Sequence, residues 1–212
     1  MQSEPPSSES DHQAWIQAAT RWGEVVALRW SLPEDLPAED KSRFDAAHKL
    51  MEERFHEWMV AHYGALHSLS YLPRPVMLHQ IPKYMAHRLA TKGARKLAVI
   101  VVDGLSMAQW AIVREELPSR KWVTEEFGLF AWVPTLTSVS RQSIFAGDPP
   151  FFFGQSLDTT RKEEQHWTRF WNDRGIRKGE VVYASQGTLE DDNNFIKRII
   201  EKIERQDVGS RV

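Results

Sequence analysis

Cysteine is absent from the 212-residue sequence, which excludes a disulfide framework and any thiolate metal site. A metal ion here would have to be held by carboxylate, imidazole, hydroxyl or water. No apolar run approaches the length of a membrane span. The opening residues, MQSEPPSSESDHQ, lack the basic and apolar regions of a secretory signal. Charge of neither sign is in excess: 27 Lys and Arg against 29 Asp and Glu leave a formal net charge of −2. Composition therefore gives no global argument for a nucleic acid or an anionic membrane as partner. There is no internal repeat, and low complexity is confined to the first residues. The expectation is a cytoplasmic protein with no membrane partner. What is present is a 42% hydrophobic share, with aromatic residues making up 11% of the whole sequence, enough for a core of one large domain or of one domain with an appendage.

The pattern along the chain predicts a disordered tail over 1–13, a helical region over 14–92 and a different architecture over 93–212. Ser10 followed by Gln13 has the spacing of a capping box, and Trp15, Ala18, Ala19, Trp22, Val25 and Val26 share one helical face. A second helix is predicted from Glu39 to Tyr63, with Phe44, Ala47, Met51, Phe55, Trp58 and His62 as its apolar stripe and Gly64 as its stop. Pro82 is placed to open a short helix through Leu89. From Lys96 the period changes. Leu97–Val102 reads as a buried strand, Ser106–Leu117 as a helix, and Phe127–Val133 as a second strand. Helices follow from Ser138 to Gly147, from Thr159 or Thr160 to Trp171, and from Thr188 to Arg205, with a short strand at Glu180–Ala184. Strands alternating with helices predict an α/β fold built on a parallel sheet.

Two motifs carry chemistry. LAVIVVD ends in Asp103-Gly104, which would bring a carboxylate to the rim of the sheet. PTLTSVSRQSIFAG, about thirty residues later, gathers hydroxyls where the chain turns into a helix. A carboxylate that binds metal and a hydroxyl that metal activates, at one sheet edge, are the minimum parts of a phosphoryl- or sulfuryl-transfer site. Each residue also has a plainer reading. Asp103 would serve as a cap for the next helix, and Thr137 and Ser138 as helix caps. Arg141 is either a phosphate clamp or a solvated, ion-paired helix residue. The GARK cluster at Gly93–Lys96 is too short for a nucleic-acid patch. His48, His56, His62, His79 and His87 form no ligand pair beside the predicted sheet edge, and the tryptophans read as packing anchors.

Joined at this distance, VIVVDGLSMAQW and AWVPTLTSVSRQSIFAGDPP resemble the PglZ domain, a branch of the alkaline phosphatase superfamily found in bacterial BREX-type phage-defence systems. The resemblance spans roughly residues 70 to 205. It implies an alkaline-phosphatase-like parallel sheet with flanking helices, preceded by a small helical region. It implies Asp103 as a metal ligand and Thr137 as both nucleophile and metal ligand, with Thr135 the nearby competitor; beside these two carried-over positions, Ser138 and Arg141 are the candidate substrate-binding residues on the reading of the motif itself. The cofactor implied is a divalent metal, Zn foremost, with Mn or Mg as alternatives. The substrate implied is a phosphate ester, nucleic-acid diesters included, attacked in line by Thr137 through a covalent phosphothreonine. Other defence-system proteins are the implied partners.

The sequence also departs from that pattern. Superfamily members complete a two-metal site with later Asp and His residues, yet His166 is the one histidine after Thr137, and Asp191 and Asp192 read as first-turn helix charges. The expectation is an amino-terminal half that lacks the later metal ligands and hydrolyses little by itself. The alternative is a non-catalytic interaction or scaffold module of the defence complex. A sulfatase reading is disfavoured by the missing cysteine.

Overall fold

The structure, a computed structural model, describes residues 4–92, 96–117, 123–154, 157–187 and 189–209, without the side chains of 92 and 205–209. Among these residues lie seven α-helices: α1 (His12–Ser31), α2 (Ala38–Leu66), α3 (Ile81–Lys92), α4 (Met107–Glu116), α5 (Thr137–Ala146), α6 (Glu163–Asn172) and α7 (Asp192–Gly209). The chain divides into two compact units, Met1–Trp132 and Val133–Val212. Most of the GARK cluster and Thr188, the expected start of the last helix, fall outside the described residues.

In the first unit, Asp11 and not Ser10 opens α1. Its carboxylate accepts from the Ala14 amide at 2.8 Å, satisfying one of the donors that every helix start leaves over. The Ser10 carbonyl instead accepts from the Trp58 indole Nε1 at 2.7 Å. The stripe on α1 buries Trp15 and half-buries Trp22 and Val26, while Val25 stays exposed. The ring of Trp15 lies 5.9 Å from that of Trp58 on α2. Gly64 does not stop α2, because the helix continues until Leu66 is buried in the core. That core comprises Trp15, Trp58, Leu66, Val76, Met77 and Phe130, each large apolar side chain contributing roughly 1.5–3 kcal/mol by leaving water. Gln80 braces the irregular segment beneath it. Its buried Oε1 accepts from the amides of Val76 at 2.7 Å and Met77 at 3.2 Å, and its Nε2 donates to the Leu69 carbonyl at 2.7 Å. α1 packs on α4 at Gly23, where an added Cβ would lie 2.7 Å from the Met107 Cβ; Arg114 of α4 adds an ion pair to Glu24 of α1 at 2.8 Å.

The expected α/β fold with a parallel sheet is not what the chain forms. Leu97–Val102 joins no ladder and no helix among the described residues, and Ile100 and Val102 are 86% and 61% exposed. Within Phe127–Val133 the pairing is one isolated parallel bridge, Phe130 to Met77, closed by Leu78 N to Phe130 O and Phe130 N to Val76 O at 3.1 and 2.8 Å. Residue 180 belongs to a 3-10 turn, Lys178–Glu180, and 181–187 carries no ladder. The physical reason lies in what a strand requires. β-branched runs favour extended backbone, but a parallel strand exists only with neighbours on its edges and helices on its faces, and among the described residues LAVIVVD has no strand beside it. The architecture is predominantly helical.

In the second unit, α5 ends on Gly147, whose φ of +69° is left-handed, a conformation that glycine adopts without a Cβ penalty. α5 buries Val139, Gln142, Ser143, Ile144 and Phe145 and packs on α6, which buries Trp167, Phe170 and Trp171. The Phe145 and Trp167 rings meet edge-on at 5.7 Å. α6 begins at Glu163, later than Thr159 or Thr160. The Thr159 carbonyl is taken by Gln142 Nε2 at 2.6 Å and its hydroxyl by the Arg161 amide at 3.2 Å, which turns the chain before the helix forms. Asp191 accepts from the Asn194 amide at 3.1 Å at the start of α7. Among the described residues no helix is long and apolar enough to cross a membrane.

Candidate functional site

The two motifs fall in different units, and each has its own surroundings. Asp103 occupies a turn with Gly104, whose φ is +72°, at the end of LAVIVVD. Its side chain is exposed. Beside it, in the same unit, lies a hollow of about 340 Å³ walled by Val102, Leu105, Met107, Trp110 and Phe127, with Glu126 at its edge. Ser106 does not face it as a free hydroxyl alone, because it caps α4. Its Oγ accepts from the Gln109 amide at 3.2 Å, and Gln109 Oε1 accepts from the Ser106 amide at 2.8 Å. The Asp-Gly turn is thus relieved of capping, which Ser106 performs.

Thr137 is the first residue of α5 and is exposed, as is Thr135. The residue before it, Leu136, has extended backbone and provides no side-chain cap. The start of α5 therefore presents its amides and the positive end of its dipole without the usual Ser, Thr, Asp or Asn acceptor. Ser138 is half-buried and spends its hydroxyl on the Leu157 carbonyl, fastening the following loop to the helix. Gln142, one turn on, does the same for Thr159.

Arg141 is drawn into the second unit's interior. Its Nη2 donates to Glu163 Oε2 at 2.7 Å, and Glu163 is fully buried. Tyr183 Oη donates to the same carboxylate oxygen at 2.6 Å. Burial works against the Arg141 charge, but the hydrogen bond and charge of Glu163 prevail and raise its pKa. The Tyr183 phenol is also raised, first by burial and then by its bond to Glu163. At neutral pH the cluster is a guanidinium and a protonated phenol converging on one oxygen, while Glu163 Oε1 and Arg141 Nε are buried without hydrogen-bond partners. Local pattern gave no sign of this cluster: Glu163 reads as an ordinary first-turn helix charge, and 22 residues separate it from Arg141.

His166 lies on α6 against Phe153, with ring centroids 5.4 Å apart, and its Nε2 is buried without a partner. Burial lowers its pKa, and Lys162 and Arg169 lower it further. Elsewhere His62 stacks on Trp58 at 5.1 Å and His48 on Trp22 at 5.6 Å, so these rings serve packing. No group of three His, Asp or Glu side chains suited to a metal ion is present among the described residues. Carboxylates and imidazoles are the donors that a Cys-free chain has for zinc, and here they do not converge. Among the described residues a closed metal site is therefore not assembled, and Asp103 stands as a single exposed carboxylate.

A family model described as the BREX system PglZ alkaline phosphatase-like domain matches residues 81–203. The matched span is more than half of the chain and contains Asp103, Thr137, Arg141, Glu163 and Tyr183. No curated protein and no solved structure matches.

Proposed function

The chain belongs to the PglZ family of BREX-associated, alkaline-phosphatase-like domains, and from that membership we propose that it handles phosphate esters through the start of α5, with Thr137 as the attacking hydroxyl. The observation that carries the reading is the conjunction at that helix start. An exposed threonine hydroxyl sits on amides that no side chain caps, inside the matched span. Amides at a helix start favour phosphate oxygens, and donors already fixed in place stabilise charge as it develops on them. Thr137 Oγ1 attacks phosphorus in line as the ester P–O bond breaks, the threonine's proton leaving with the departing ester oxygen as an alcohol; water then attacks the phosphothreonine, releasing the phosphate and restoring the threonine hydroxyl. Thr135 is the competing hydroxyl. Ser138 contributes by fixing the neighbouring loop, since its hydroxyl is engaged.

Alkaline-phosphatase-like proteins generally use divalent metals. Asp103 is the proposed carboxylate toward such an ion, zinc in the first instance and manganese or magnesium otherwise, and it stands as a single donor. Hydrolysis by this chain is accordingly expected to be weak. The test is turnover of bis(p-nitrophenyl) phosphate and p-nitrophenyl phosphate with Zn or Mn added, together with mass spectrometry for a phosphorylated threonine. Thr137→Ala should lower turnover roughly a thousandfold or more, in line with loss of a nucleophile, and remove the phosphorylated peptide. Undiminished turnover in that variant would sink the assignment.

A second reading has its own support. A BREX-system domain acts among other defence proteins, and this chain lacks a three-donor cluster among its described residues while exposing many large apolar side chains. A non-catalytic module that docks on a defence partner fits those two facts. Turnover of neither substrate under any metal would favour it.

A further inference from the structure

A surface helix ordinarily turns its apolar stripe inward and its charges outward. α7 does the reverse. The hydrogen bonds that tie it to its unit come from cations. Arg198 donates to Glu190 at 2.9 and 2.6 Å and to the Ser185 carbonyl at 2.8 Å, and Lys202 donates to the Tyr183 carbonyl at 2.9 Å. Ile196, Ile200 and Ile203 are left half-exposed on the neighbouring face. Their spacing, four residues and then three, is that of a coiled-coil seam, carried on a helix of 18 residues. Charges border this seam along one edge. Lys197 follows Ile196 and Glu204 follows Ile203, so the two take the same position beside the seam, one toward each end. Both are exposed, and neither is ion-paired among the described residues. A stripe of this kind specifies its own complement. A copy turned end over end sets Lys197 of one chain against Glu204 of the other, twice, whereas a parallel copy brings like charges to the same end. A strongly charged surface of either sign would be repelled by one of the two.

We propose that α7 is the interface of an antiparallel homodimer, with Ile200 close to the two-fold axis and Ile196 of one copy packing toward Ile203 of the other. Such a contact is isologous. It takes out of water three isoleucines per chain that the single chain leaves half in it, and it asks for ordering of side chains alone, because the helix is already formed. The isoleucines supply the attraction, and the bordering charges set direction and register. The interface uses no residue of the phosphate-ester reading and stands or falls apart from it.

The experiment is analytical ultracentrifugation of the full 24.6 kDa chain over a range of concentrations. It is run at a pH well above the sequence pI of about 6.5, where general self-association is weakest, and folding of every variant is checked by circular dichroism. The wild type should pass from monomer to dimer mass as concentration rises and stop there. Ile200→Lys should weaken dimerisation roughly tenfold or more, since it puts a charge into the seam. Lys197→Glu and Glu204→Lys should each weaken it roughly threefold, while the chain that carries both substitutions returns to wild-type affinity. The sequence has no cysteine, so introduced thiols report only on their own positions. Lys197→Cys and Glu204→Cys chains, mixed under mild oxidation, should cross-link to each other faster than either does to itself. A wild type that stays monomeric up to about 1 mM overturns the proposal and leaves the stripe to a different protein. A folded Ile200→Lys chain that dimerises like the wild type overturns it as well. Failure of the doubly substituted chain to recover, or faster cross-linking of Lys197→Cys to itself, overturns the antiparallel interface.

Discussion

At the scale of the residue, single polar side chains do much of the organising. Gln80 satisfies two buried amides and one carbonyl at once. Gln80→Ala strands those groups in an apolar setting and should cost about 2–4 kcal/mol, read as a shift of the urea midpoint at unchanged slope. His166 gives a signed pH dependence. Its folded pKa lies below its ordinary value, by burial and then by Lys162 and Arg169. The unfolded chain therefore takes up the proton first as pH falls. The stability from a neutral His166 is complete above its ordinary pKa and declines as pH drops from there through the lowered folded value. A His166→Gln variant should lose that part of the slope, measured as unfolding midpoints across mildly acid pH. The residues that sequence reading placed correctly are those whose own type and helical register decide their burial or turn. Gly147 closes α5 as expected, and Trp15 and Trp58 anchor the core. Arg141 and Glu163 were illegible as a pair because nothing within one turn of either names its partner.

At the scale of the element, the helices were legible and the sheet was not. A helix satisfies its own backbone, so caps and period predict it, and the bounds of α4 and α5 lie within a residue or two of expectation. A strand satisfies its backbone elsewhere, so LAVIVVD predicts an extended chain and nothing about its neighbours. The start of α5 offers a test at this scale. Leu136 is extended, exposed and gives no cap. Leu136→Asp should add the missing acceptor and raise stability by about 0.5–2 kcal/mol. Under the phosphate reading the same carboxylate repels the ligand, so the thermal midpoint should rise while phosphate affinity falls. A variant that gains both would separate helix capping from anion binding.

At the scale of the whole molecule, each unit has its own apolar interior, and much apolar surface remains outside. Ile100, Val60, Phe152 and Leu189 are exposed by 86%, 76%, 71% and 100%. Exposed apolar side chains favour association where they adjoin, and a net charge near zero removes the repulsion that opposes it. With a sequence pI of about 6.5, light scattering should show self-association rising as pH approaches that value and falling on either side. Ile100→Lys should diminish it; scattering that ignores both pH and this substitution would place the sticky surface elsewhere.

The α1–α4 crossing carries one more consequence. A Cβ at position 23 would meet not only the Met107 Cβ but its backbone carbon and oxygen, at 2.9 and 3.0 Å. Every residue at 107 other than glycine has that Cβ, and all of them have that backbone. No second-site substitution along the facing side chain can therefore compensate for a change at Gly23. In a mutational landscape the position has no epistatic rescue within the pair, and sequences that fold this way are expected to hold glycine there while Met107 varies freely in size beyond its first carbon.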